Sequence, residues 1–323
     1  MLDGMDVSST YQEKLEELEK EAKTVVFLAV DNEIKGLLAL QDIPKENAKL
    51  AISQLKKRGL KTVMLTGDNA GVARAIADTV DACPNLPVLE VGPGMGVLTQ
   101  FLLPKGREVK VAEIDFESVD YLRKNFPELE EQIIEDDFLK MHLEHVFDGQ
   151  QFVLTGNYPY NISSQIFFKM LEYRDYIPCC TGMIQKEVAE RLAARPGNKT
   201  YGILSVLVQL WYDVEYLFTV EPGVFNPPPK VKSAVIRMTR NNVSDAGCDE
   251  RLLRRVVKTA FNQRRKMMRG SLKPLFAQLD NECGCTRPHT DFLAQPLLTK
   301  RPEQLSVADF VALTNAVEQE MKA

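Results

Sequence analysis

No apolar run in this 323-residue sequence reaches the ~18 residues that a membrane-spanning helix requires. The first residues, with Asp3 and Asp6, also lack the basic stretch that opens a secretory signal peptide. The expected location is therefore the cytoplasm with no membrane partner, and the triplets at Asn161, Asn198 and Asn242 read as chance glycosylation sequons. Cys83, Cys179, Cys180, Cys248, Cys283 and Cys285 show neither redox C-x-x-C nor metal-knuckle spacing and read as reduced thiols. Cys283, Cys285 and His289 offer zinc-ligand types without a fourth ligand nearby, so no metal site is assigned. Low complexity is missing too. At 45% hydrophobic and 26% charged residues the chain suits two domains with cores, which excludes collagen-like and mucin-like readings.

A net excess of positive charge is also lacking, because 40 Lys and Arg face 45 Asp and Glu. A chain coated in basic residues for indiscriminate nucleic-acid binding is thereby excluded. The positive charge is instead local: from Arg251 to Lys273 there are nine Lys or Arg and no acid.

Residues 10–23 read as a charged helix with one thin apolar face, followed by two β-like runs, Thr24 to Val30 and Ile34 to Leu40, joined as a hairpin. A helix after Pro44 stops at Gly59, a short strand covers 62–65, and Thr66-Gly67-Asp68-Asn69 leads into a helix ending near Val80. Beyond Pro87 come strands at Val88 to Val91, Glu108 to Ile114, Gln132 to Ile134 and Gln151 to Thr155, with helices from Val97 and up to Asn125 between them. Strands alternating with helices predict a parallel, doubly wound α/β sheet. The tail from 241 lacks strand signals and reads as a small helical domain.

Chemistry concentrates in three loops. In Glu90-Val91-Gly92-Pro93-Gly94-Met95-Gly96 the glycines let backbone approach a ligand. Alone this is an ordinary tight turn or a relative of the dinucleotide loop, whose spacing, G-x-G-x-x-G, differs. Glu113, 21 residues past Gly92 at the end of the next strand, can accept both hydroxyls of a ribose. Asp137 follows the third strand and can accept from an adenine amine, with Phe138 beside the ring. Each acid by itself could be a solvated loop charge, so the ordered set is what points to a nucleoside cofactor. After the fourth strand, Asn157-Tyr158-Pro159-Tyr160 combines an amide oxygen and the carbonyl of Tyr158 or Pro159. Together these can accept both hydrogens of an adenine N6 and aim its lone pair at an electrophile. Tyr160 offers a stacking face for an extruded base.

From about Ile76 onward the chain resembles the bacterial ribosomal RNA adenine N6,N6-dimethyltransferase family. The glycine loop, Asn157-Tyr158-Pro159-Tyr160 and Gln185-Lys186-Glu187-Val188-Ala189-Glu190-Arg191 carry the resemblance. So do Tyr201-Gly202-Ile203-Leu204-Ser205, the run from Phe225 to Ser233, and Phe261-Asn262-Gln263-Arg264-Arg265-Lys266. The resemblance implies a Rossmann-like methyltransferase sheet with a small C-terminal helical domain, divided as 76–240 and 241–323. It also implies S-adenosylmethionine as methyl donor, held by Glu90, Gly92, Gly94, Gly96, Glu113, Asp137, Phe138 and Asn157. Phe225 would clamp the target base opposite Tyr160, completing a catalytic set of Asn157, Tyr158, Pro159, Tyr160 and Phe225. The implied substrate is two adjacent adenines near the 3′ end of 16S ribosomal RNA, each methylated twice on a precursor of the small subunit by a monomeric enzyme. RNA contacts would come from Lys230, Lys232, Arg264, Arg265, Lys266 and Arg269, the last four on a helix; a solvated helical face is the competing reading.

The family's usual opening, a basic arm with a Phe-Leu-Gly-Gln-x-Phe-Leu motif over the cofactor, is absent. Residues 1–75 instead form a βαβ-like foreign segment resembling part of a cation-transporting P-type ATPase, through Gly36 to Asp42 and Met64-Leu65-Thr66-Gly67-Asp68-Asn69. The nucleophile motif Asp-Lys-Thr-Gly-Thr of that family is missing, which argues against phosphohydrolase chemistry at Thr66. The chain thus reads as a chimera. The alternative to an active enzyme is a small-subunit assembly binder whose catalysis is impaired by the missing arm.

Overall fold

A computed structural model describes residues 24–30, 33–40, 69–225, 229–284 and 288–322. The expected helices at 10–23 and 44–58, the strand at 62–65, Thr66 and Cys285 lie outside them. The chain divides into two compact units, Met1–Met64 and Leu65–Ala323.

In the first unit β1 (Thr24–Val30) and β2 (Glu33–Leu40) pair antiparallel, Thr24 opposite Leu40 and Val30 opposite Glu33, as the two β-like runs predict.

The second unit opens with α1 (Asn69–Thr79), then β3 (Val88–Val91), α2 (Thr99–Leu102), β4 (Val109–Glu113) and α3 (Phe116–Asn125). Next come β5 (Ile133–Glu135), β6 (Val153–Asn157), α4 (Ser163–Glu172), β7 (Cys179–Gln185), α5 (Lys186–Ala193) and α6 (Ile203–Gln209). They are followed by β8 (Tyr212–Val220) and β9 (Ser233–Arg240), and then by helices only: α7 (Glu250–Asn262), α8 (Met268–Ser271), α9 (Lys273–Cys283), α10 (Thr290–Leu293) and α11 (Val307–Lys322). The sheet order is β5-β4-β3-β6-β7-β9-β8. The first five of these strands run parallel, but β9 is antiparallel to both β7 and β8. The four strands read from the sequence are parallel as expected; the antiparallel end is added by β8 and β9, which follow one another without a crossover helix among the described residues. The helix expected from Val97 is likewise reduced to the single turn α2 and a 3-10 turn, Leu103–Lys105, ended by left-handed Gly106.

Strand β3 is buried on both faces, as expected at the centre of a parallel sheet, and this buries Glu90 along with its three apolar residues. Val88 faces a core layer with Val72, Ile76 and Ala77 of α1 and Leu102 of α2. Leu89 and Val91 face the opposite layer, which runs on through Phe167 and Met170 of α4 to Val256 of α7 and Phe310 of α11. The C-terminal helices therefore share buried apolar contacts with the sheet's own core. Asp249 caps α7 by accepting from the Leu252 amide at 2.6 Å, and the helix buries Leu253, Val256, Val257 and Ala260 on one stripe.

Candidate active site

The carboxyl ends of β3, β4, β5 and β6 lie on one edge of the sheet, the edge where open α/β folds bind ligands. The loop after β3 turns on Gly92, Gly94 and Gly96, at φ 66°, 53° and 75°. Only glycine enters that region without strain. A Cβ on Gly94 would meet nothing within 4 Å, whereas one on Gly96 would lie 2.4 Å from the Phe126 ring. Gly96 is thus a packing glycine, away from the cavity, and Gly94 leaves open space. Gly92 and Gly94 line a cavity of about 300 Å³ with Glu90, Pro93, Asn157 and Phe225, and Val72, Ala73 and Ile76 of α1 form part of its wall.

Glu90 is fully buried, and its Oε2 accepts from Thr99 Oγ1 at 2.7 Å. Burial pushes its carboxyl up to about 8; the Thr99 bond opposes this and the nearby Glu113 charge adds to it. Glu113, 8% exposed, accepts the amides of Gly94 (3.1 Å), Ile114 (2.9 Å) and Asp115 (3.0 Å). That ties β4 to the glycine loop and fixes the carboxylate at the sheet edge. Beside it Ile114 is 71% exposed, an apolar face that the sequence reading passed over. Asp137 accepts the Leu139 amide at 3.0 Å, and this bond holds its carboxyl below the usual range, with Lys140 assisting. Phe138 turns into the core, so its ring is not presented to a ligand and its place in the proposed cofactor set rests on backbone alone.

Asn157 ends β6 with its side chain exposed and without an internal hydrogen bond among the described residues. Tyr158 is the opposite. Its ring is fully buried, its hydroxyl donates to Thr181 O at 2.9 Å, and it meets Phe167 edge-on. The ring fits because Gly156 and Gly182 face each other across β6 and β7. A Cβ on Gly182 would fall 2.2 Å from the Gly156 carbonyl and 2.7 Å from the Tyr158 ring. Tyr158 therefore anchors the loop with its side chain and leaves only its carbonyl for substrate. Of the two carbonyls open in the sequence reading, that of Pro159 accepts the Ile162 amide at 3.2 Å, whereas the Tyr158 carbonyl has no partner among the described residues. The Tyr160 hydroxyl bonds Ser233 Oγ at 2.5 Å, pinning its ring to the first residue of β9. Phe225, partly buried, lines the cavity with Asn157, but Tyr160 does not.

The basic candidates separate. Helix α7 ends at Asn262, so Arg264, Arg265 and Lys266 sit in the turn beyond it and Arg269 in the next short helix, not on one helical face as expected. Arg264 donates to the Asn198 carbonyl at 3.2 Å and lies 3.9 Å from Glu303. The side chains of Arg265, Lys266 and Arg269 are exposed and have no such partner among the described residues. Lys232 pairs with Glu221 at 2.8 Å, and Lys230 is exposed. His289, considered with Cys283 for zinc, has both ring nitrogens taken by carboxylates: Asp280 at 3.0 Å and Glu320 at 2.8 Å.

The chemistry of this edge fits a cationic nucleoside: the carboxylates of Glu113 at the end of β4 and Asp137 in the turn after β5 stand beside a glycine loop that leaves open space at Gly94. Comparison with known proteins agrees. The model of the family "Ribosomal RNA adenine dimethylase" matches residues 66–284. Ribosomal RNA small subunit methyltransferase A of Phocaeicola vulgatus is 66% identical over 251 residues, 78% of this chain and 86% of that protein. Its namesake in Bacteroides thetaiotaomicron is 68% identical over the same length, 90% of that protein. A dimethyladenosine transferase from Plasmodium falciparum superposes with a TM-score of 0.65 at 26% identity, covering 78% of this chain and 97% of that one. A haloacid dehalogenase-like hydrolase model matches residues 2–86, which fits the ATPase-like N-terminal reading at the level of that broader family.

Proposed function

This chain belongs to the ribosomal RNA adenine dimethylase family, and from that membership we propose that it methylates N6 of two adjacent adenines near the 3′ end of 16S ribosomal RNA. It is an S-adenosylmethionine-dependent methyltransferase acting on ribosomal RNA. The finer assignment, to the small-subunit precursor as substrate and to a monomeric enzyme in the cytoplasm, is part of the proposal. No helix among the described residues is long and apolar enough to cross a membrane.

The observation that carries this reading is the free amide of Asn157 in the cavity shared with Gly92, Gly94 and Phe225. The cofactor supplies a methyl group on a sulfonium sulfur. Glu113 would accept its ribose hydroxyls and Asp137 its adenine amine. Asn157 Oδ1 and the Tyr158 carbonyl would accept the two N6 hydrogens of the target. That pulls the nitrogen from planar toward tetrahedral and frees its lone pair, so no strong base is needed before attack. The rigid Tyr158 anchor keeps the carbonyl from yielding as the nitrogen reshapes. Tyr160, fixed by Ser233, and Phe225 would hold the base by its faces. We further read 76–240 as the catalytic part, 241–323 as an RNA-binding part and 1–75 as the foreign segment, with Arg265, Lys266 and Arg269 of the RNA-binding part and Lys230 of the catalytic part as the freest phosphate ligands.

Radiolabelled methyl transfer to unmethylated 30S particles tests the proposal. Incorporation lost in Asn157→Ala even at saturating S-adenosylmethionine is the expected result. Incorporation by wild type no greater than by that variant would falsify it.

A further inference from the structure

Lys169 is a buried lysine on the apolar side of α4, 8% exposed among Phe167, Met170 and Leu171. Its Nζ donates to the carbonyls of Leu139 at 3.0 Å and Met141 at 2.6 Å and lies 5.1 Å from the Tyr173 ring. Both carbonyls belong to the turn that Asp137 opens. In that turn the Asp137 side chain accepts the Leu139 amide, and its carbonyl accepts the amides of Lys140 at 2.7 Å and Met141 at 3.2 Å. The other end of α4 grows out of the catalytic loop: the Ile162 amide bonds the Pro159 carbonyl, and Ser163 Oγ bonds the Tyr160 carbonyl at 3.3 Å. One helix thus touches the Asn157 to Tyr160 loop with its first residues and the Asp137 turn with Lys169.

Burying an ammonium is expensive, and burial lowers the Lys169 pKa against the opposing charges of Glu172, Asp137, Glu144 and Asp136. A methionine would fill the same space without that penalty. What the ammonium adds is geometry: two directed bonds to consecutive odd carbonyls fix a turn that has no strand to hold it.

We propose that Lys169 is a positioning residue for the cofactor's adenine, setting the Asp137 turn in register with the catalytic loop through its bonds to the Leu139 and Met141 carbonyls. The inference rests on the reading of Asp137 as acceptor of the exocyclic amine. Calorimetry on the full chain, with S-adenosylhomocysteine and its inosine counterpart that lacks the amine, separates the two. Wild type should prefer the adenosine compound by about tenfold or more, the usual weight of a hydrogen bond to a charged group. In Lys169→Met that preference should shrink to about twofold and the KM for S-adenosylmethionine should rise by the factor lost, about fivefold or more, with kcat at saturation and affinity for 30S particles little changed. Lys169→Arg, which restores donors, should recover part of the preference. Hydrogen exchange should quicken at the amides of Leu139 to Met141 in Lys169→Met and not in the sheet strands. A wild type without preference sinks the Asp137 reading and the proposal with it. A preference kept intact in Lys169→Met sinks the role of Lys169 alone, as does a variant whose exchange rises throughout the domain or whose kcat falls as much as its KM rises.

Discussion

The cavity at the sheet edge and the basic turn beyond α7 are built from different parts of the residue. The first is made of backbone: left-handed glycines, strand-end amides on Glu113, and a sheet that closes over Tyr158 only because Gly156 and Gly182 have no side chains. The second is made of side-chain tips, Arg265, Lys266 and Arg269, standing in solvent on a frame packed elsewhere. The two therefore respond to substitution in different ways. Backbone-built sites share atoms with the fold, so a single Cβ can disturb all of them at once, whereas exposed charges act nearly independently and through salt.

The strongest test of this contrast is Gly182→Ala. Its Cβ would overlap the Gly156 carbonyl at 2.2 Å, an atom that cannot swing aside, and Gly182 holds φ 148°. A loss of roughly 3–5 kcal/mol of unfolding free energy is expected, the scale of severe core damage, with S-adenosylmethionine binding lost alongside. Urea unfolding measures it, and a loss below about 1 kcal/mol would show that the strands part easily to admit a methyl group.

That glycine pair also marks where the sequence stops being informative. Strand β3 is legible to the residue because three of its four residues are apolar and it runs straight into the glycine loop. The Glu113, Asp137 and Asn157 positions follow because each ends a strand of the parallel half or opens the turn after one. β7, whose sequence is Cys-Cys-Thr-Gly-Met-Ile-Gln, carries little β-branched signal and is a strand by tertiary burial. The β8 and β9 reversal depends on a long connection that no local pattern encodes. Phe138 looks like a ligand aromatic in the sequence and is a core residue in the fold, since the side on which a loop aromatic packs is decided by distant neighbours. Lys169 is one cation in Ser-Ser-Gln-Ile-Phe-Phe-Lys-Met-Leu-Glu, and only the carbonyls it meets reveal its use.

Next in size is Glu90→Gln. With its carboxyl raised to about 8 from an ordinary 4.5, Glu90 keeps a proton in the folded protein that the unfolded chain releases. Stability from this group therefore falls as pH climbs from about 4.5 to 8. The glutamine variant should flatten that part of the profile and be more stable than wild type at pH 9, by on the order of 3 kcal/mol. Parallel profiles for the two proteins would mean that the carboxyl is ionised in the fold.

On the helical side, His289 gives the opposite sign. Burial would lower its pKa, but bonds to Glu320 and Asp280, and their charges, outweigh this and raise it above the ordinary 6.5. The imidazolium, stacked 4.3 Å from the Phe276 ring, clamps α9 to α11. Its contribution is complete below pH 6.5 and is lost as pH rises through the raised value. His289→Gln should cost about 1–3 kcal/mol at pH 6 and less at alkaline pH. A cost that does not change with pH would mean packing, not charge, carries the contact.

The smallest effect falls on the exposed turn, where the contrast is finest. Arg265 and Lys266 have no side-chain partner among the described residues, while Arg264 already donates a hydrogen bond to the Asn198 carbonyl and lies near Glu303. If the two free cations neutralise phosphates, each releases counterions on binding. Replacing both with Ala should then flatten the slope of log affinity for 30S particles against log salt by about 1.4 to 1.8, at ~0.7 to 0.9 per phosphate. Arg264→Ala should change that slope less and instead lower the thermal midpoint, because the bond it makes braces the 195–200 loop against the end of α7. Cofactor affinity should hold in both. Equal slope losses from Arg264 and from either neighbour would show that the arginine leaves its internal partners for RNA, and that its place in the fold is a resting position.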